Sequence, residues 1–173
     1  MPITLTKKTV VQPAEGKYLL FTLALETYAV GIHEVLEILG PLDLPELAEG
    51  SPSVRGLLNL RGKVVPVIDL RCRLGLDVAK TNPGRCVLTV RAQGWDGPLW
   101  IGLVVDGIQN VVQIKQEELE EVPDMEDDPR NGFIRGLAQC QDRVVLLLDV
   151  DQVAKGDEVE AVQFALGGSH EAF

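Results

Sequence analysis

An all-β fold built from two similar subdomains is what this 173-residue sequence predicts, and three observations carry the prediction. Short runs rich in Val, Leu and Ile recur between turn residues, helix signals are few, and one block of the chain is echoed in a second. With 46% hydrophobic and 24% charged residues the composition is that of a soluble globular chain. A chain of this length buries roughly 70% of the surface it exposes when unfolded, enough for one core or for two small cores sharing a wall.

Residues 1–16 are polar and end in Pro13-Ala14-Glu15-Gly16, which reads as a flexible N-terminal arm. Strand-like runs then occupy 17–23, 27–32, 64–70, 85–91, 99–105, 108–114 and 143–150. Residues 33–39 read as one or two helical turns. Pro66 makes its run an edge or bulged strand, because proline cannot donate to a ladder. Asp157 caps a last helix over 158–166, with acids in the first turn and Gly167 as its stop. Residues 156–173 therefore read as a C-terminal helix and tail.

The echo appears when residues 53–71 (SVRGLLNLRGKVVPVIDLR) are laid on 133–151 (FIRGLAQCQDRVVLLLDVD) at an offset of 80. Six of the 19 pairs are identical, among them Arg55/Arg135, Gly56/Gly136 and Asp69/Asp149. A second match at an offset of 73 lays residues 28–38 on 101–111. Two copies are too few for a solenoid and suit two packed β-subdomains, with the echoed blocks at 28–71 and 101–151. Gly56 and Gly136 read as equivalent structural turns. Between the blocks, residues 115–130 hold eight acids against two bases, a local balance of −6 that reads as a solvated loop.

Several function classes find no support. A net charge of −10 without a Lys/Arg-rich run disfavours nucleic acid and anionic membranes. The longest aliphatic run, 144–148, is far short of the about 20 residues of a membrane span, and no secretory signal opens the chain, so a cytoplasmic location is expected. Cys72, Cys86 and Cys140 read as free thiols. The serines stand in no nucleophile motif, and His33 and His170 have no second His or Cys at ligand spacing. Gly56 to Val64 misses the phosphate loop twice, with one residue too many between its glycines and Val64 in place of the hydroxyl. No catalytic residue, metal or cofactor is expected, and the charge should keep isolated molecules monomeric.

The run Arg55-Gly56-Leu57-Leu58-Asn59-Leu60-Arg61-Gly62-Lys63-Val64-Val65-Pro66-Val67-Ile68-Asp69-Leu70-Arg71 resembles the central signature of the CheW family of bacterial chemotaxis coupling proteins. The resemblance extends to Tyr18–Leu23, to Tyr28-Ala29-Val30 with Val35-Leu36-Glu37-Ile38, to Gly102–Asp106 and to the Val144–Asp149 run, and covers residues 17–155. It implies two SH3-like five-stranded β-barrels without catalytic activity. It also implies a scaffold that joins methyl-accepting chemotaxis receptors to the regulatory domain of the histidine kinase CheA, at the membrane receptor arrays but without inserting in the bilayer. The equivalent adaptor of a chemotaxis-like pathway for pili or surface sensing is the alternative within that class; a ligand-binding or enzymatic barrel is the alternative outside it.

The duplication separates scaffold from site. Where the first copy has Asn59-Leu60-Arg61-Gly62, the second has Gln139-Cys140-Gln141-Asp142, so Arg61, with Asn59 and Gly62, is a candidate for partner binding, whereas Arg55, matched by Arg135, belongs to the shared framework. Glu37 aligns with Asn110 and is likewise special to the first copy. An exposed Arg61–Glu37 pair is therefore expected on the first subdomain. The family resemblance adds Val35 and, in the second copy, Val111 as contact positions; without it both read as ordinary core valines.

Overall fold

Each strand run of the chain alternates its side chains between two faces, and in one of the two sheets both faces of the strands find an apolar layer. The structure, a computed structural model, describes residues 13–41, 53–77 and 84–165. Strands β1 (Gly16–Leu23), β2 (Glu26–Gly31), β3 (Val35–Leu39), β4 (Val54–Leu60) and β5 (Lys63–Asp69) lead into helix α1 (Leu70–Arg73). Strands β6 (Cys86–Gly94), β7 (Gly97–Val105), β8 (Gly107–Ile114), β9 (Leu119–Glu120), β10 (Ile134–Cys140) and β11 (Arg143–Leu148) follow, then α2 (Val150–Ala154) and α3 (Asp157–Ala165).

Two sheets result, ordered β8-β1-β2-β11-β10-β9 and β3-β6-β7-β5-β4. The echoed blocks do not each supply their own sheet. The first sheet joins β1 and β2 to β8, β10 and β11, and the second joins β6 and β7 to β3, β4 and β5. Exchanging equivalent strands turns one order into the other, apart from the short added β9. The exchange is sealed by two equivalent parallel pairings, β2 beside β11 with Ala29 opposite Leu147 and β7 beside β5 with Gly102 opposite Val67. The fold is all-β, two SH3-like subdomains packed together with short helices.

One apolar cluster draws from both sheets. Leu19, Phe21, Tyr28, Val30, Leu146 and Leu148 of the first meet Ile68, Leu88, Val90, Ile101, Leu103 and Val105 of the second, with Val150 and Val153 of α2 and Val159 of α3 closing the edge. A second cluster, Leu20, Ala29, Val112, Ile114, Ala138, Cys140, Val145 and Leu147, uses the alternate positions of the first sheet alone. Leu19/Leu20 and Leu146/Leu147 thus serve opposite faces, which is why these strands read as unbroken apolar runs.

Five expectations are corrected. Residues 33–39 hold only a 3-10 turn, Ile32–Glu34, before strand β3, because Val35, Ile38 and Leu39 pair with β6. Pro66 lies in an interior strand, between β4 and β7; the parallel ladder to β7 begins at Val67, so the missing donor is not needed there. Gly56 and Gly136 lie inside β4 and β10, each just after a bulge that displaces Arg55 or Arg135 from register. A Cβ on Gly136 would meet the Pro13 ring at 2.8 Å and the Glu120 carbonyl at 3.2 Å, whereas Gly56 has open space. The acidic stretch 115–130 is more than a solvated loop: Leu119 and Glu120 pair with β10, and Val122 and Met125 pack on the main core. The final helix starts at Asp157, one residue before the expected start. The expected stop, Gly167, the tail beyond it and residues 1–12 of the expected arm lie outside the described residues.

Equivalent carboxylates tie strands to helices. Asp69 accepts from Arg55 Nη1 at 3.1 Å and Arg85 Nη2 at 3.0 Å, all three side chains being under 10% exposed, and it also accepts from the Cys72 amide at the start of α1. Asp149 accepts from Arg135 Nη2 at 3.1 Å and from the Asp151 and Gln152 amides at the start of α2. Arg135 also faces Glu34 at 3.9 Å, whose carboxyl burial pushes above its usual range. Asp69→Ala removes the buried carboxylate that two guanidiniums share, so urea unfolding of that variant should show a loss of about 3–5 kcal/mol.

Arg130 clasps the acidic stretch to the first hairpin, bonding Asp128 at 2.8 Å, Glu26 at 2.5 Å and the Tyr28 hydroxyl at 3.0 Å. Arg130's side-chain and backbone hydrogen bonds hold the Asp128 carboxyl at about 2, below its ordinary 3.8. With the folded value below the unfolded one, the clasp's contribution is complete above about pH 4 and is lost as the pH falls toward 2. Asp128→Asn should therefore lower the melting temperature at pH 6, and the difference should shrink as the pH falls through about 2.

Candidate functional site

The turn joining β4 to β5 needs left-handed backbone at both central residues, and Arg61 (φ 55°) and Gly62 (φ 83°) supply it, as in a two-residue hairpin turn. Asn59 Oδ1 accepts from the Gly62 amide at 3.1 Å and locks the turn. At the matching turn of the other sheet Gln141 (φ 52°) and Asp142 (φ 64°) adopt the same conformation. The turn geometry is thus common to both copies and does not require the arginine.

From this tip the Arg61 guanidinium reaches strand β3. Its Nη2 donates to the Leu36 carbonyl at 3.3 Å and lies 3.7 Å from Glu37 Oε1, with the two side chains 56% and 39% exposed. A register shift between Val35 and Glu37 takes Leu36 out of the β3–β6 pairing and leaves its carbonyl for the guanidinium. β3 and β4 stand at opposite ends of the strand order, so a bridge between them means that the sheet is rolled. At the same place in the other sheet Arg143 Nη2 donates to Gln109 Oε1 at 2.8 Å, and Gln109 Nε2 reaches Thr27 Oγ1 at 3.4 Å.

The structure brings Asn59, Arg61, Gly62 and Glu37 together around one hairpin tip. Val35 begins the same strand as Glu37, paired with Val90 and half-buried against the main core. Val111 stands apart, on β8 of the other sheet opposite Leu19 and 47% exposed. Sequence reasoning missed two members of the tip: Lys63 Nζ lies 5.0 Å and Arg61 Cζ 5.8 Å from the centroid of the Trp100 ring. The signal was present, since the same offset of 73 sets Trp100 against Thr27. Exposed Leu57 and Val64, on the two strands of the same hairpin, add apolar surface.

Elsewhere the ionisable groups serve the framework. Arg71 pairs with Asp106 at 2.5 Å, and Asp106 also accepts from the Ala24 amide, which holds the first hairpin turn. Cys72, Cys86 and Cys140 are free thiols whose pKa values burial pushes up. Among the described residues no three His, Cys, Asp or Glu side chains converge as a metal site, and no helix is long and apolar enough to cross a membrane.

Residues 17–158 match the family model of the CheW-like domain. The chain belongs to the CheW family. It is 33% identical over 137 residues to the chemotaxis protein CheW of Helicobacter pylori, covering 79% of this chain and 80% of that one. With the chemotaxis protein CheW of Klebsiella aerogenes the identity is 27% over 146 residues, 84% of this chain and 86% of the relative. Among solved structures it resembles the scaffolding protein TtCheW from Thermoanaerobacter tengcongensis, with a TM-score of 0.69 and 25% identity over 83% of this chain and 94% of that one. In this CheW-family chain the matched region contains both copies of the duplicated block, hence both the Arg61 tip and its altered counterpart.

An exposed pair at 3.7 Å is worth about 0–1 kcal/mol to folding. Arg61→Ala should leave the thermal melt nearly unchanged. Arg135, held by Asp149 and Glu34, should cost about 1.5–3 kcal/mol when truncated, and the two melts side by side check the division between site and framework.

Proposed function

We propose that this chain is a non-catalytic chemotaxis adaptor that couples methyl-accepting receptors to the regulatory domain of the histidine kinase CheA on the cytoplasmic side of receptor arrays. The names of its relatives, chemotaxis protein and scaffolding protein, support the pathway and the role. The observation that carries the site is the Arg61–Glu37 pair, exposed at a hairpin tip in one copy and replaced by Gln141 and Asn110 in the other. A duplicated framework that keeps its turn and exchanges its charges has been freed from a folding requirement at those positions. The pair binds through charge-assisted hydrogen bonds made as a partner excludes water, with Asn59 and Gly62 fixing the turn, Leu57 and Val64 supplying apolar contact, and Val35 and Val111 as further contact positions.

Truncating one side of such an interfacial pair costs about 2–5 kcal/mol. In pull-downs with a receptor tip fragment and with the CheA regulatory domain, Arg61→Ala and Glu37→Ala should each lose at least one partner while melting like the wild type. If both variants retain both partners at wild-type affinity, the site assignment is wrong.

A further inference from the structure

We propose that Trp100 is a positioning residue: its indole sets the Arg61 guanidinium, with Lys63, for partner binding. This deepens the proposed function and rests on Arg61 being its contact residue. The indole stands on β7 opposite Arg91, half-buried, and belongs to neither apolar cluster. The Arg61 and Lys63 cations lie 5.8 and 5.0 Å from its ring centroid. Cations within about 6 Å of an indole are held by its negative face.

Three constraints then fix Arg61. The left-handed turn sets where its side chain starts, the Leu36 carbonyl and Glu37 set where it ends, and the Trp100 ring flanks its course. A long side chain loses up to about 2 kcal/mol of rotamer freedom when ordered, so an arginine already held by a ring binds with a smaller entropic cost. The corresponding place in the other sheet contains Thr27, Gln109 and Arg143, a polar chain of hydrogen bonds. The pseudo-symmetric comparison therefore isolates the indole, supplied by the second copy, as an addition of the sheet that also holds Arg61 and Glu37.

The test uses the full chain. The sequence has two tryptophans, and Trp95 sits at the tip of the β6–β7 hairpin, where its Nε1 donates to the Lys155 carbonyl at 3.0 Å. Trp95→Phe, accepted once its thermal melt is cooperative, leaves Trp100 as the sole indole. In that background Arg61→Gln and Lys63→Gln should each change the emission of Trp100, and Arg143→Gln should not. An emission that ignores Arg61 overturns the contact. For affinity the probe is the purified CheA regulatory domain: Trp100→Leu should weaken binding about two- to fivefold, Trp100→Phe should recover part of the loss, and Trp100→Leu should add nothing once Arg61→Gln is present. An equal loss with and without the Arg61 charge overturns positioning. Should Arg61→Gln bind as the wild type while still altering the emission, the ring contact is upheld and the role of Arg61 in recognition fails.

Discussion

The apolar layer between the two sheets is the constraint on which the rest of the molecule depends. Neither sheet could form from one half of the sequence alone and still present these faces, because one takes two strands from the first copy and four from the second, and the other takes three from the first and two from the second. Fully burying a Leu, Ile, Val or Phe side chain stabilises by about 1.5–3 kcal/mol, and the layer holds many of them, including Phe21, Leu23, Ile68, Leu88, Ile101 and Leu103. The exchange makes each sheet depend on strands of both copies. The parallel pairings that seal it, β2 with β11 and β5 with β7, are non-local contacts that connect the copies through their backbones.

Around that layer the duplicated Asp69 and Asp149 do the same work twice. Each takes an arginine from the bulged strand 14 residues earlier and each starts a short helix, Asp69 with the oxygen the arginines leave free and Asp149 with the same Oδ1 that Arg135 reaches. The copies then diverge in charge: the first surrounds one carboxylate with two guanidiniums, the second faces one guanidinium with two carboxylates. The framework tolerates this because the backbone geometry is kept. The hairpin tips diverge in the same manner, keeping the left-handed turn and changing the side chains, which leaves the first tip with Arg61, Lys63, Glu37 and Trp100 clustered.

Much of this was legible in the sequence. The apolar runs located seven strands, the duplication paired Arg55 with Arg135 and Asp69 with Asp149, and the mismatch at Arg61 and Glu37 marked a pair that the structure places 3.7 Å apart. Strands β3, β4 and β10 escaped because their polar or small residues (Glu37, Gly56, Asn59, Gly136, Gln139) break the apolar alternation, and those residues are tolerated where the strands meet solvent, a bulge or a close neighbour.

What the sequence determined by itself was which positions repeat and which do not, since identity at a fixed offset needs no coordinates. Which copy each strand joins was decided only by the tertiary structure. A period-two pattern specifies that a face is buried but not which face covers it, so two identical copies are equally satisfied by pairing within a copy or across copies. The same limit hid the partners of Trp100: only the tertiary pairing of β7 beside β5, a strand of the other copy, brings the Arg61–Lys63 tip to the indole and places two cations over its ring.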